Sequence, residues 1–243
     1  VGDYGKNIDT NLFNLLSELV KIEGAFRIRI SSIEPNLLTD EIINLTAESE
    51  KLCKHFHIPL QSGSPRILKA MQRRYSIDDY KNLIDRIKNR LPDAGIGVDV
   101  IVGFPGETEE DFIHTHNFLR DLPVSYLHVF TYSERPNTKA ISLPGTVDVQ
   151  ERKRRNNILR ILSEKKRAKF YSDMIGTTHD VLFENANKNG LMHGFTSNYI
   201  KVQTNFNEAF TGQICLIALI DAETDICNGT ILSTKKSIDL VTT

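Results

Sequence analysis

The sequence predicts an α/β fold built from repeated strand–helix units, followed by a basic helix and a small all-β barrel. In the first part, strand-like runs centred near residues 28, 57, 98 and 127 alternate with helical patterns. Strands that are joined by helical crossovers lie parallel in one sheet. After residue 148 the chain becomes strongly basic, and after Gly176 the helical periodicity gives way to short strand-like runs. These shifts predict three domains, at residues 1–147, 148–175 and 176–243.

The elements of the first domain follow from local patterns. Alternating or β-branched residues predict strands at 27–33, 55–60, 96–102 and 125–131. Helices are predicted at 9–20, from 39, from 65, at 76–90 and at 108–122. Asp9 or Thr10 is expected to cap the first helix, and Ser64 followed by Pro65 is expected to open the third.

The second and third domains have simpler signatures. Residues 151–170 hold nine Lys or Arg and two Glu, with apolar residues along one side, and predict a long amphipathic helix. The positive charge of this helix is equally consistent with contact with nucleic acid and with a face that is simply exposed to solvent. Strands at 181–184, 199–203, 214–220 and 230–232, with a hairpin turn at Asn189-Gly190, predict a closed OB-like barrel. Such barrels commonly bind nucleic acid, and a purely structural appendage is the alternative.

Composition excludes several classes of protein. The net charge of -1 and the 40% hydrophobic content are those of an ordinary globular protein, and no apolar stretch is long enough to span a membrane. The cysteines Cys53, Cys215 and Cys227 are far apart, which predicts reduced thiols in a cytoplasmic protein and no disulfide framework. His55 and His57 share a strand face, but no third ligand is evident, so no metal site is predicted in this chain.

Polar, glycine and proline residues collect where the predicted strands end. Ligands bind at the carboxyl ends of the strands in parallel α/β sheets. Glu34 is placed to accept hydrogen bonds from a ribose or an amine, the 61–64 turn offers polar groups, and Phe104 would face a planar ligand. Each feature also has a plainer interpretation, as a loop acid, a helix cap or a rigid turn. Their position at one sheet edge favours a common binding site.

Four strings, taken in order along the chain, resemble a known family. They are RIRISSIEP at 27–35, HFHIPLQSGS at 55–64, DVIVGFPGET at 99–108 and YSERPNT at 132–138. Together they resemble the radical S-adenosylmethionine (radical SAM) methylthiotransferases. The first and last strings are most similar to the branch that acts on threonylcarbamoyladenosine in tRNA. The resemblance extends over essentially the whole chain and includes a C-terminal TRAM-like, RNA-binding β-barrel.

The resemblance implies the C-terminal part of a partial (βα)6 radical SAM barrel, in an enzyme that inserts a methylthio group on adenine. It implies S-adenosylmethionine as a cofactor, [4Fe-4S] clusters with an electron donor in the full-length enzyme, and the anticodon stem-loop of tRNA as the partner. No catalytic residue is assigned. The cofactor-binding candidates are Glu34, His57, Gln61, Ser62, Asp99, Gly103, Phe104, Pro105 and Glu107. The RNA-binding candidates are Arg152, Lys153, Arg155 and Lys201.

The chain departs from the family pattern at the cluster. The family's Cys-x3-Cys-x2-Cys loop does not occur here, and the three widely spaced cysteines cannot replace it. The residues around Tyr4 resemble the loop after the family's second barrel strand, so we expect the chain to begin just after the cluster loop and to be inactive alone. The alternatives are the branch that modifies a ribosomal protein, and a non-catalytic RNA-binding protein without a cluster. An unrelated barrel hydrolase or aldolase ranks last, because no activated nucleophile is evident.

Overall fold

The computed structural model describes residues 4–5, 7–136, 138–184, 189–223 and 225–237. A four-stranded parallel sheet consists of Ile28–Ile30 (β1), Leu52–His57 (β2), Gly95–Val102 (β3) and Tyr126–Thr131 (β4), in that order. The helices are Leu12–Leu19 (α1), Asp40–Glu48 (α2), Pro65–Ala70 (α3), Ile77–Arg90 (α4), Glu109–Asp121 (α5) and Val149–Asp173 (α6). The parallel α/β sheet and the long helix are therefore confirmed. Asn137, which belongs to the fourth string, lies outside the described residues.

The starts of the helices show why these segments fold locally. The Ser64 hydroxyl accepts a hydrogen bond from the Ile67 amide, with Pro65 in the first turn, as predicted for α3. Helices α4 and α5 each begin with a reciprocal capping box, in which the cap hydroxyl and the acid three residues later bond to each other's backbone amides. The predicted cap of α1 is wrong, because Asn11 and not Asp9 or Thr10 accepts from the Asn14 amide.

The two faces of the sheet differ in character. On β3, Ile96, Val98, Val100 and Val102 are fully buried and pack into the hydrophobic core with the helices. Successive side chains of a strand point to opposite faces, so Asp99 and its alternating neighbours on β3 lie on the other face. We call this second surface the inner face. It carries the polar and aromatic residues of the candidate site, whereas the outer face is the core.

Helix α6 covers the free edge of β4. The Ser163 hydroxyl accepts from the Leu127 amide (2.8 Å) and donates to the Leu127 carbonyl (2.9 Å). The Asn156 amide donates to the Val129 carbonyl (3.1 Å). Side chains of α6 thus satisfy backbone groups that another strand would otherwise pair with. Of the helices that the structure describes, none has the length and apolar character needed to cross a lipid bilayer.

The rest of the chain forms a closed five-stranded barrel. Its strands are Thr178–Phe183 (β5), Leu191–Thr196 (β6), Lys201–Asn205 (β7), Gln213–Ala222 (β8) and Cys227–Ser237 (β9), in the order β5-β6-β7-β9-β8. Asn189 and Gly190 both have positive φ, which confirms the predicted hairpin turn. Strand β6 was not predicted, because Gly194 breaks its apolar pattern. A Cβ at Gly194 would lie 2.4 Å from the Leu182 carbonyl oxygen, so the close strand approach requires glycine.

Candidate cofactor and nucleic-acid site

The barrel closes the amino end of the inner face. Gly95 allows this approach, since a Cβ there would lie 2.1 Å from the carbonyl oxygen of Asn198, in the loop before β7. The ring of Tyr199, from the same loop, lies 4.6 Å from the His55 ring and 4.4 Å from the Arg29 guanidinium carbon. Tyr126 completes this floor, with its hydroxyl 2.8 Å from His55 Nε2. Burial lowers the pKa of His55 to about 3, so the floor holds a neutral imidazole.

A polar layer lies on the inner face above the floor. His57 Nε2 donates to the Asp99 carboxylate (2.7 Å), and His57 Nδ1 donates to the Ser31 carbonyl (2.9 Å). Because both partners are acceptors, this geometry favours the doubly protonated, cationic imidazole. The hydrogen bond to Asp99 accordingly raises the pKa of His57. The His128 ring lies 5.2 Å from the His57 ring, and its pKa is lowered by burial and by the His57 charge.

The polar layer does not suit a metal ion, although its spacing would allow one. Ligand atoms of His57, Asp99 and His128 all lie within 4.8 Å of one another. A metal-bound imidazole must offer a lone pair, and both nitrogens of His57 donate to oxygen atoms. The layer is therefore better described as an ion pair beside a neutral imidazole. We propose no metal site here.

A wide groove opens at the carboxyl ends of β2, β3 and β4. Its volume is about 940 Å³, which suits a cofactor-sized molecule. We call this cleft the strand-end groove. The residues that define it here are Gln61, Arg73, Ile101, Phe104, Phe130 and Tyr132, all of which line the cavity. The rings of Phe104 and Tyr132 meet edge to face with centroids 5.5 Å apart, and Phe130 is 52% exposed. The groove thus combines aromatic surface with an amide and a guanidinium group.

A smaller opening lies at the side of the sheet, between β4, α6 and the barrel. Four basic side chains are among the residues that line its two adjoining cavities of about 310 and 210 Å³. We call this feature the side opening, defined by His128, Arg160, Arg167 and Lys201. The Arg167 guanidinium lies 5.6 Å from the centre of the Tyr126 ring. The side opening therefore connects the polar layer with the surface of the barrel.

Comparisons with known proteins show which family the chain resembles. A model described as the radical SAM superfamily matches residues 4–119. Threonylcarbamoyladenosine tRNA methylthiotransferase MtaB of Bacillus subtilis is 38% identical over 91% of this chain and 50% of its own length. The MtaB protein of Aquifex aeolicus is 41% identical over 84% of this chain and 48% of its own length. A tRNA-2-methylthio-N(6)-dimethylallyladenosine synthase of Endomicrobium trichonymphae is 37% identical over 92% of this chain and 53% of its own length.

Over most of its length the chain is similar to radical SAM methylthiotransferases. It spans about half the length of the curated relatives that it matches. The family resemblance of the four strings is thereby confirmed. The matched residues 4–119 include α1 to α4, most of α5 and the first three strands of the sheet.

Some of the residues predicted for cofactor binding do lie together. Gln61 and Phe104 line the strand-end groove, and His57 and Asp99 lie on the inner face. The Glu34 carboxylate is 3.4 Å from Arg73, which lines the groove.

Gly103 and Pro105 act through the backbone, since both are buried in the turn after β3. Gly103 has a positive φ, and a Cβ there would lie 2.4 Å from the Arg152 side chain. A larger residue would strain this turn and force the Arg152 side chain to move, so the turn favours glycine.

Two predicted cofactor residues are buried away from the groove. Ser62 is fully buried, where its hydroxyl lies 3.3 Å from Thr115 Oγ1 and accepts from the Ser64 amide. Glu107 is buried and accepts from the Gly103 amide and from Arg155. Burial raises the pKa of Glu107. Both side chains hold the turns that shape the groove, and neither lines it.

Two of the residues predicted to contact RNA are buried in ion pairs. Arg152 is 5% exposed and donates to the carbonyls of Val147 and Tyr132 and to the Glu134 carboxylate. Arg155 is 4% exposed and is bonded to Glu107 and Glu151. A buried guanidinium with these partners cannot reach a phosphate. Lys153 is exposed on α6, and Lys201 lies at the side opening.

Sequence reasoning missed several residues of the site. Arg73 was missed because it follows a short helix, and Phe130 and His128 because they lie within a strand and not after it. Alternation along β4 places Tyr126, His128 and Phe130 on one face, which is the signal that would have found them. Arg160 and Arg167 were counted only as part of a basic helix. Their seven-residue spacing, two helical turns, puts both on the side of α6 that faces β4.

Proposed function

We propose that this chain is part of a tRNA-modifying radical SAM enzyme that inserts a methylthio group on the adenine of threonylcarbamoyladenosine. The observation that carries the proposal is the strand-end groove, an aromatic and polar cleft above a closed floor. The proposed substrate and reaction are those stated in the names of the MtaB relatives. On this proposal the groove holds S-adenosylmethionine, and the target adenine enters beside it. The proposal includes a cytoplasmic location, where tRNA is modified.

The proposal also specifies the architecture. The parallel sheet would be the later part of a partial (βα)6 barrel, and the closed barrel would be a TRAM-like domain. The proposed domain limits are 1–147, 148–175 and 176–243. In support, α6 spans Val149–Asp173 between the sheet and the barrel, and the open inner face matches the interior of such a partial barrel.

The residues present fit S-adenosylmethionine chemically. Phe104 and Tyr132 offer aromatic surface for an adenine ring, and the Gln61 amide suits ribose hydroxyls. Arg73 and Glu34 offer opposite charges for the carboxylate and the amino group of the methionine end. The bound cofactor supplies the radical that starts the reaction. The chain's own contribution is to hold the cofactor and to exclude water from its closed side.

The cysteines of this chain do not fit a [4Fe-4S] cluster. Cys53 lies in β2, Cys215 in β8 and Cys227 in β9, and all three are buried. A cluster requires several thiolates around one site. We therefore propose that the clusters, and the contact with their electron donor, belong to parts of the full-length enzyme outside this chain. A non-catalytic RNA-binding protein is the second candidate, because no cysteine group in the described residues supports a cluster.

The partner on this proposal is tRNA, through its anticodon stem-loop. Arg160, Arg167 and Lys201 at the side opening, with exposed Lys153 near the start of α6, offer the cations for phosphate contact. The inner face lies directly behind the side opening. A base that leaves its stack would therefore have a path to the polar layer and the groove.

The test is nucleoside analysis of tRNA by mass spectrometry, in the natural host with and without the gene. We expect the 2-methylthio derivative of threonylcarbamoyladenosine to disappear and its precursor to accumulate. The wild-type gene and a Lys165→Gln variant should restore the derivative, whereas Asp99→Asn should not.

Each other outcome identifies an alternative. Loss of a methylthio derivative of dimethylallyladenosine would assign the chain to that branch. Unchanged nucleosides with a change in a ribosomal protein would indicate the ribosomal branch. If neither changes, the catalytic proposal is wrong and the RNA-binding candidate remains.

A further inference from the structure

The arginines of α6 fall into two groups by their partners. Arg154 makes ion pairs of 2.7 Å with both Glu109 and Glu151. Arg155 pairs with Glu107 at 2.6 Å, and Arg152 pairs with Glu134 at 2.7 Å. These three guanidinium groups are saturated by acids from α6 and from other elements, so they offer nothing to a ligand.

Arg160 and Arg167 differ from this first group. Neither makes an ion pair or a side-chain hydrogen bond within the described ranges of the chain. Arg167 is half-buried and rests on the Tyr126 ring, which restricts its position without using its donors. A guanidinium group that is held in place but has no acid partner presents a planar fork of donors that matches a carboxylate or phosphate.

His128 lies beside Arg167 in both cavities of the side opening. Neither of its ring nitrogens has a hydrogen-bond partner among the residues described, although the ring packs against Tyr126 and His57. A neutral imidazole offers one N–H donor to an oxygen atom. Arg167 and His128 therefore converge on the same space with unused donors.

The charges around this space favour an anion. Arg160, Arg167 and Lys201 contribute three positive charges, and the acids Glu164 and Asp225 contribute two negative ones. Behind His128, the cationic His57 and Asp99 cancel each other. The net charge of the lining is thus +1. Arg167, whose position is restricted by the Tyr126 ring, lies at the junction of the two cavities.

We propose that Arg167 and His128 form a binding site for an anionic oxygen group, the carboxylate of the threonylcarbamoyl substituent on the target adenine. This inference rests on the proposed function for its substrate. A backbone phosphate of the RNA has the same chemistry and is the other possible source. The carboxylate fits better, because the site adjoins the inner face, where the base must enter.

The test measures the affinity of the full-length protein for two anticodon stem-loops that differ only in one nucleoside. One carries threonylcarbamoyladenosine and the other carries unmodified adenosine at that position. The variants are Arg167→Gln, Arg167→Lys and His128→Asn. The matched control is Lys165→Gln, which removes one charge from an exposed position of the same helix.

We expect Arg167→Gln to weaken binding of the modified stem-loop about tenfold and to change binding of the unmodified one much less. Arg167→Lys should recover part of the loss, His128→Asn should lose less than Arg167→Gln, and Lys165→Gln should affect both RNAs equally and slightly. An equal loss on both RNAs that the control does not share would support the site with a phosphate as its anion. Wild-type affinity of Arg167→Gln and His128→Asn for both RNAs would overturn the site and leave the proposed function standing.

A second measurement separates the site from the function. The nucleoside threonylcarbamoyladenosine is titrated against the protein, and the ring proton signals of His128 are followed by NMR. If the wild-type protein binds neither RNA, the proposed function is wrong. A nucleoside-dependent shift of His128 that Arg167→Gln abolishes would still support the site, and its absence would overturn it.

Discussion

In the first turns of α6 the guanidinium groups of Arg152 and Arg155 are buried against acids, whereas further along Arg160 and Arg167 face open space beside β4. The two segments of the helix contain the same residue type. They differ in what the neighbouring elements bring to them. The turn after β3 supplies Glu107 to the first segment, and the edge of β4 supplies His128 to the second.

This contrast shows that positive charge alone does not locate a nucleic-acid surface. A buried ion pair holds α6 against the turn that shapes the groove, because removing one partner leaves an uncompensated charge. The unpaired arginines contribute little to that attachment. They remain available for a ligand, so the helix is a structural element at one end and a candidate binding surface further on.

The largest expected effect is loss of the buried pair. Arg155→Met should lower the free energy of unfolding by about 3–5 kcal/mol, because Glu107 would stay buried without its partner. Arg154→Gln, on the exposed side of the same turn, should cost at most about 1 kcal/mol. Chemical denaturation measures both values. Equal small losses would show that the first segment of α6 is not a structural anchor.

A smaller effect is expected where the barrel meets the sheet. Gly95→Ala should cost about 1–3 kcal/mol, because its new Cβ meets the Asn198 carbonyl oxygen. The same variant should weaken RNA binding, since the barrel contributes Lys201 to the side opening. Thermal unfolding and an RNA titration test this. Unchanged stability would mean that the barrel does not close the amino end of the inner face.

The polar layer should give stability a dependence on pH. The hydrogen bond to Asp99 raises the pKa of His57, so its stabilising contribution is complete below the unfolded value of about 6.5 and is lost as pH rises through the folded value. The charges facing His57 are Asp99 on β3 and, when protonated, His128 on β4. His55 acts oppositely, because its lowered pKa removes stability as the pH falls below about 6.5.

The difference in unfolding free energy between wild type and Asp99→Asn isolates this contribution from that of His55. We expect the difference to be largest near pH 6 and to shrink toward pH 9. Denaturation curves across this range provide the measurement. A difference that does not vary with pH would show that His57 is not held as a cation.

The smallest effect on stability is expected at the unpaired arginines. Arg160→Gln should change the free energy of unfolding by no more than about 0.5 kcal/mol, because its side chain is exposed and makes no ion pair in the part of the chain described. It should nevertheless lower RNA affinity and flatten its dependence on salt. A stability loss as large as that of Arg155→Met would remove the distinction between the two segments.

Much of the fold was predictable because it depends on local chemistry. Ser64 with Pro65, and the hairpin turn at Gly190, specify their structures within a few residues. The family followed from strings that lie at the strand ends. The burial of Arg152 and Arg155 in ion pairs was not predictable, since their acid partners include Glu134 and Glu107, which are distant in sequence. Pairing over such distances has no periodic signal.

The site shows the same division. Gln61 and Phe104 were found from the strand-end rule, and both line the groove. The floor was not predictable, because Tyr199 comes from the barrel and meets His55 only through tertiary packing. The side opening likewise needs α6, β4 and β7 together. Sequence therefore located the sheet edge that we propose as the ligand site, and the structure adds the side opening that we propose as the route to it.

The most direct test of the central claim is photo-cross-linking of an anticodon stem-loop to the full-length protein, with the cross-linked peptides identified by mass spectrometry. The claim is that RNA approaches through the side opening and reaches the inner face. It predicts cross-links to the peptides that contain Tyr126 to Tyr132, Arg167 and Lys201, and none to the buried side chains of Arg152 and Arg155. Cross-links confined to the outer helices, or to the first turns of α6, would contradict it.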